Sequence, residues 1–196
     1  MNAKIGGSIE DIVSLVDPNS LIRSAFKDTF VLADYPLPEF SLNENYASLD
    51  LQILEGEDVL NHLGKITELC KNGRHTGKQE RFHAGVNEAV RNAYQHGNKK
   101  DPHKKVTVSY RATDELFEVV VSDEGGEINA NFIPFILLHR YNQLSMPSNF
   151  YEFSSTTQPY ENAGIGTFVI HMVSDEVNYF RNKANGLSVQ MIIRKD

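Results

Sequence analysis

Apolar residues recur every three or four positions through Ile9, Ile12, Val13 and Val16, and again through Leu21, Ile22, Ala25, Phe26 and Phe30. Asp17-Pro18-Asn19-Ser20 separates the two runs, so the spacing predicts two short amphipathic helices over residues 8–33. Residues 34–41 carry Pro36 and Pro38 and read as a linker, because each proline fixes its own backbone and restricts its predecessor. Residues 1–46 are therefore expected to form a helical N-terminal extension with its linker, and residues 47–196 the main domain.

In that domain Leu49, Leu51 and Ile53 alternate with polar neighbours, the period of a half-covered strand over residues 48–54. Val59, Leu60, Leu63, Ile66, Leu69 and Cys70 return to helical spacing. A second helix is predicted from about residue 77 to 96, ending in a left-handed terminus at Gly97-Asn98. Strand-like runs at 106–110 and 116–122 make one hairpin, and runs at 174–181 and 187–194 make another around residues 182–186. The order β, α, α, β, β, long loop, α, β, β implies an α+β two-layer sandwich. Its helices pack on one face of a mixed, mostly antiparallel sheet.

Composition narrows the picture without changing it. The chain has 196 residues, 40% of them hydrophobic, enough for one well-buried core. A net charge of -7, with basic clusters no longer than Lys99-Lys100 and Lys104-Lys105, argues against a nucleic-acid partner. Cys70 is the one cysteine and cannot form an internal disulfide. The chain opens Met-Asn-Ala-Lys with no long apolar run, and its most apolar stretch, 132–138, is broken by Pro134. No secretory signal or membrane span is expected, and the cytoplasm is the expected compartment.

Three clusters carry candidate chemistry. Glu88, Asn92 and His96 stand at successive i, i+4 positions, facing away from Phe82, Val86, Ala89, Val90 and Ala93. A carboxylate, an amide and an imidazole in line can serve as a general base, an oxygen ligand for Mg²⁺ and a donor toward phosphate. Asp123-Glu124-Gly125-Gly126 follows a strand, where an aspartate can accept from an exocyclic amine and glycines let the backbone approach a planar ring. Gly164-Ile165-Gly166-Thr167 opens a helix at 168–173, the geometry whose free amides bind phosphate. Taken singly, each is also ordinary: a solvated helix face, turn chemistry and a glycine loop.

Together, in this order and context, the clusters resemble the asparagine box and the two glycine boxes of the GHKL (Bergerat-fold) ATPase superfamily. The nearest likeness is to its anti-sigma-factor serine/threonine kinases. It is carried by residues 87–97, 123–126 and 164–170 continuing to Asp175-Glu176-Val177, and it covers about residues 47–195. The resemblance implies the Bergerat ATP-binding fold with a lid over about 127–163, ATP and Mg²⁺ as cofactors, and a STAS-domain antagonist and a sigma factor or similar regulator as protein partners. It implies that Glu88 is the catalytic base, Asn92 the metal ligand and Asp123 the acceptor for the adenine amino group. Gly125 and Gly126 would pack at the base, His96 would join the nucleotide site, and Gly164, Ile165, Gly166 and Thr167 would face the phosphates.

Three departures keep a second reading open, a nucleotide-controlled binding module with little or no kinase activity. Asn162 stands where these kinases usually carry a basic residue, residues 123–127 read Asp-Glu-Gly-Gly-Glu where the wider superfamily has Asp-x-Gly-x-Gly, and Leu187 stands where a threonine often helps to hold adenine. A sensor histidine kinase is disfavoured, because none of the seven histidines is followed by an acidic residue. The lid carries Phe132, Ile133, Phe135, Ile136, Leu137 and Leu138, so residues 131–144 are expected to pack as a helix on their own domain or to dock a partner. The N-terminal helices are expected to cover a homodimer surface or to occupy a partner groove.

Overall fold

The computed structural model describes residues 29–31, 39–42, 44–53, 64, 79–129 and 164–194 of the chain. In chain order the described elements begin with β1 (Thr29–Val31), β2 (Ala47–Gln52) and α1 (Gln79–Asn92), which continues into a π-helical turn, Ala93–Gly97. Then come β3 (Lys105–Ala112), β4 (Leu116–Ser122), β5 (Glu127–Asn129), α2 (Gly166–Val173), β6 (Glu176–Arg181) and β7 (Leu187–Arg194). Strands β2-β3-β4-β7-β6 lie in that spatial order in one sheet whose ladders are all antiparallel. Helices on a mostly antiparallel sheet are therefore the architecture, as the pattern predicts.

The register explains the core. Val108 stands opposite Leu49 and Val121, Val119 opposite Tyr110 and Met191, and Val177 opposite Met191. The apolar half of each alternating strand thereby reaches one face. Onto it α1 lowers Phe82, Val86, Ala89 and Val90, each at most 2% exposed. The Phe82 and Phe117 rings meet edge-on with centroids 5.6 Å apart. Burying such side chains contributes roughly 1.5–3 kcal/mol apiece, which is why the amphipathic stripe settles the helix face. Gly85 lets α2 approach: a Cβ there would collide with Val173 and come within 2.7 Å of Met191 Cε.

The opposite face of the sheet is also covered. Ser109 and Ser188 are fully buried, and Val120, Glu118 and Asn178 nearly so. Phe40 packs on Phe180 at 5.2 Å and edge-on to Tyr46 at 6.2 Å. Arg111 grips the Glu118 carboxylate with two hydrogen bonds, 2.6 and 2.7 Å, and lies over the Tyr46 ring, whose hydroxyl donates to the same carboxylate. Burial and then the Glu118 neighbour push the Tyr46 hydroxyl up to about 12. For Glu118 burial works upward, but the Arg111 and Tyr46 hydrogen bonds together hold its pKa below the ordinary value.

Some local expectations differ from the structure. Thr29–Val31, inside the expected helical extension, is a strand paired antiparallel with Glu127–Asn129 at the start of the expected lid. Helical spacing is a short-range signal, and a partner strand brought close by the fold overrides it. Glu39 bridges to Arg181, whose carbonyl accepts from the Phe40 N–H at 2.7 Å, so the end of the expected linker lies along the β6 edge. The left-handed residues after the helix are Lys99 and Lys100 (φ 54° and 60°) in place of Gly97 and Asn98. Gly97 is instead needed where the backbone is crowded, as shown below. Apart from Gly64, the expected helix over residues 58–70 lies outside the described residues, as do Cys70, Asn162, nearly all of the expected lid and residues 8–28 of the expected N-terminal helices.

Candidate functional site

Residues from two distant parts of the chain meet where α2 opens beside α1. Glu88 and Asn92 stand one turn apart on α1, and α2 begins at Gly166 with Ile165 as its N-cap, which offers no side-chain cap. A Cβ built on Gly166 would lie 2.5 Å from Glu88 Oε2 and 3.5 Å from both Asn92 side-chain heteroatoms. The helix opening therefore lies against the carboxylate-amide pair, and a side chain at Gly166 would have to displace the end of Glu88. Gly164 adopts φ 71°, a left-handed conformation that glycine takes without steric penalty and that turns the chain into α2. Thr167 in the first turn is 6% exposed, and Ile165 is half-buried.

Glu88 Oε1 pairs with Arg91 at 3.6 Å, both side chains about a quarter exposed. A pair so open to solvent contributes little stability, but it keeps a cation beside the carboxylate. The π turn Ala93–Gly97 inserts an extra residue into the helical period, and the Asn98 N–H reaches back five residues to the Ala93 carbonyl at 2.7 Å. His96 is exposed on that turn, and the side-chain atoms nearest Gly166 belong to Glu88 and Asn92.

At the far end of the same helix the chain closes tightly on Asp123, which is 6% exposed. Its Oδ1 accepts the Gly125 N–H at 2.9 Å and the Leu187 N–H at 3.1 Å, while its own N–H donates to the Leu187 carbonyl at 3.0 Å. Among the described residues no hydrogen bond reaches Oδ2, which faces Gly97. A side chain at Gly97 would collide with that carboxylate, one at Gly125 with the Gly97 carbonyl, and one at Gly186 with the Asp123 carbonyl. The glycine after Asp123 is thus demanded by the helix end itself. Gly126 turns the chain away with φ 89°.

Burial pushes the Asp123 carboxyl up to about 6, against the lowering effect of the Gly125 and Leu187 amides and of Lys104, with Glu124 adding a small further rise. A carboxylate this buried has a strong demand for a donor on its open oxygen. Leu187 has no hydroxyl to offer a ligand, yet both of its backbone polar groups hold Asp123.

Sequence reasoning missed Asn98, Asn182, Gly97 and Gly186 as parts of this region. Each reads locally as turn or helix-end chemistry, and no periodic signal distinguishes them. The single legible hint is that the residues 182–186 turn leads into Leu187-Ser188, and Ser188 stands directly across the sheet from Ser122, the residue before Asp123.

The described site thus consists of a helix face bearing carboxylate and amide, a glycine-opened helix beside it and, at the far end of the first helix, a buried aspartate at a strand end. A family model described as the histidine kinase-like ATPase domain matches residues 63–193, and the chain belongs to that family. A search of curated proteins found none that matches. Among the described residues no helix is long and apolar enough to cross a membrane.

Proposed function

We propose that the chain is an Mg·ATP-binding regulatory protein of the anti-sigma-factor serine/threonine kinase kind, which phosphorylates a STAS-domain antagonist and binds a sigma factor or similar regulator. The observation that carries the reading is the contact of Glu88 and Asn92, from one helix, with Gly166 at the opening of another, some seventy residues away in sequence.

In this reading the Asn92 amide oxygen holds Mg²⁺. That donor set fits the ion: hard oxygens, few in number, leaving positions for phosphate and water. Among the described residues no group of three or more His, Cys, Asp or Glu forms a metal cage, so the cation would be shared with the nucleotide. Bound there, Mg²⁺ supplies neutralisation of phosphate charge. The N-terminal amides of α2 around Gly164, Ile165, Gly166 and Thr167 face the phosphates, helped by the positive end of the helix dipole. Glu88 takes the proton from the attacking serine or threonine hydroxyl as that oxygen bonds to the γ-phosphorus and ADP leaves. Asp123 Oδ2 accepts from the adenine amino group, with Gly125 and Gly126 leaving the approach to the base clear.

Calorimetric titration with Mg·ATP tests the binding, and transfer of labelled phosphate to a STAS-domain protein tests the kinase activity. Glu88→Ala should abolish transfer while leaving nucleotide affinity within about threefold, since a base acts in the transition state rather than in ground-state binding. Equal transfer by the variant and the parent would remove Glu88 from the role.

Asn162, in the position where these kinases usually carry a cation, favours a second reading in which nucleotide occupancy controls protein association without phosphotransfer. ATP binding that alters partner affinity with no turnover would select it, and turnover at about 1 s⁻¹ or faster would exclude it.

A further inference from the structure

The peptide unit joining Asp123 to Glu124 is held on both edges by side-chain amides from different parts of the chain. Asn182 Nδ2, in the β6–β7 turn, donates to the Asp123 carbonyl at 2.8 Å. Asn98, 1% exposed beyond the π turn, accepts the Glu124 N–H through Oδ1, also at 2.8 Å. Each amide is itself anchored. Asn98 Nδ2 donates to the Lys105 carbonyl at 2.9 Å, and Asn182 Oδ1 accepts the Ala184 and Gly186 N–H groups at 3.0 and 2.9 Å.

A peptide plane gripped at its C=O and its N–H cannot swing about the bonds that flank it. The Asp123 N–H is fixed as well, by the Leu187 carbonyl. With the backbone immobile on both sides of its Cα, and Oδ1 committed to two amides, the direction of Oδ2 is set. We propose that Asn182, with Asn98 as its counterpart, is a positioning residue that aims Asp123 Oδ2 and thereby makes the site select a purine with a 6-amino group over one with a 6-oxo group. The inference deepens the nucleotide reading and rests on Asp123 as the base acceptor. An oxygen presented in a fixed direction accepts from an amine and repels a carbonyl oxygen. One free to swing away does neither well, because the buried groups on both partners are left poorly paired.

The test is titration of the full chain with ATP and with inosine triphosphate, which differs at the 6-position, both with Mg²⁺. Asn182→Asp keeps the oxygen that accepts from Ala184 and Gly186 but turns an oxygen toward the Asp123 carbonyl where a donor had been. The preference for ATP should fall by roughly tenfold or more, while affinity for inosine triphosphate stays within about twofold. An equal loss for both nucleotides, or an unchanged preference, would overturn the positioning role, since a purely structural effect weakens both alike. Should Asn182→Asp fail to fold, Asn98→Leu releases the other edge of the same peptide and must move the preference in the same direction. The parent's own ratio separates the two levels of inference: a parent that binds ATP no better than inosine triphosphate removes Asp123 as adenine acceptor, and the clamp's role with it. A parent that prefers ATP, with variants that prefer it equally, removes the clamp alone.

Discussion

Replacing Asp123 by asparagine should make the ligand-free protein more stable and the nucleotide site worse. The carboxyl is raised from 3.8 to about 6, with burial as the leading cause. Each unit corresponds to about 1.4 kcal/mol, so keeping Asp123 ionised at pH 7 costs the fold on the order of 3 kcal/mol. Asparagine keeps an oxygen for the Gly125 and Leu187 amides but carries no charge to desolvate. Its NH₂ group faces Gly97 and needs an acceptor, which recovers part of the cost, leaving a net stabilisation of about 1–3 kcal/mol at pH 7. The sign of the pH dependence follows from the raised pKa. Between pH 6 and 4 the native carboxyl takes up a proton that the unfolded chain binds less tightly, so the parent gains stability as pH falls through that window. The advantage of Asp123→Asn should therefore shrink from pH 7 to pH 5 and nearly vanish at pH 4. Urea unfolding followed by circular dichroism at those three values measures it. A variant less stable than the parent at pH 7, or an advantage of constant size across the range, would show that desolvation does not govern this carboxylate. In the same variant ATP affinity should drop at least about tenfold, because an acceptor facing the base amine has become a donor.

Gly166→Ala should leave the melting temperature within a few degrees, since the new methyl meets the movable end of Glu88, yet weaken Mg·ATP binding by about tenfold or more by occupying the space in front of the α2 amides; calorimetry and thermal melting read the two effects separately. Gly186→Ala should cost about 2–3 kcal/mol, because its Cβ would collide with the rigid Asp123 carbonyl, and equilibrium urea unfolding checks it. On the far face of the sheet Glu118 is held below its ordinary pKa, so its contribution is present above about pH 4.5 and disappears as pH falls through its lower native value. Acid titration of Glu118→Gln should accordingly lack part of the steep stability loss that the parent shows below pH 4.5.

Much of the architecture was legible in residue order. The alternation of Val106, Val108 and Tyr110 foretold β3 and its covered face, and the helical spacing of Phe82, Val86, Ala89 and Val90 foretold the side of α1 that is buried. Both signals arise from one or two turns of local geometry and survive whatever the rest of the chain does. Glu88, Asn92, Asp123 and Gly166 were singled out by their order and combination along the chain, each being ordinary in its own setting. By contrast, Thr29–Val31 carried a helical period and became a strand, because its hydrogen-bonding partner is Glu127–Asn129, nearly a hundred residues on.

Residues 93–97 show where periodicity stops being a guide. The α-helical count runs on through His96, but the chain forms a π turn there, and nothing in those residues announces the extra one. The sequence by itself determined the order and type of the main elements, the buried faces of α1 and the sheet, and the residue types available for a nucleotide. Only the tertiary structure decided that Asp123 would be crowded by Gly97, Gly125 and Gly186, that Asn98 and Asn182 would hold one peptide from both sides, and that Glu88 would lie beside the start of α2. The physical reason is one of range: side-chain periodicity is dictated within a few residues, whereas close backbone approach and desolvation depend on atoms that only folding brings together.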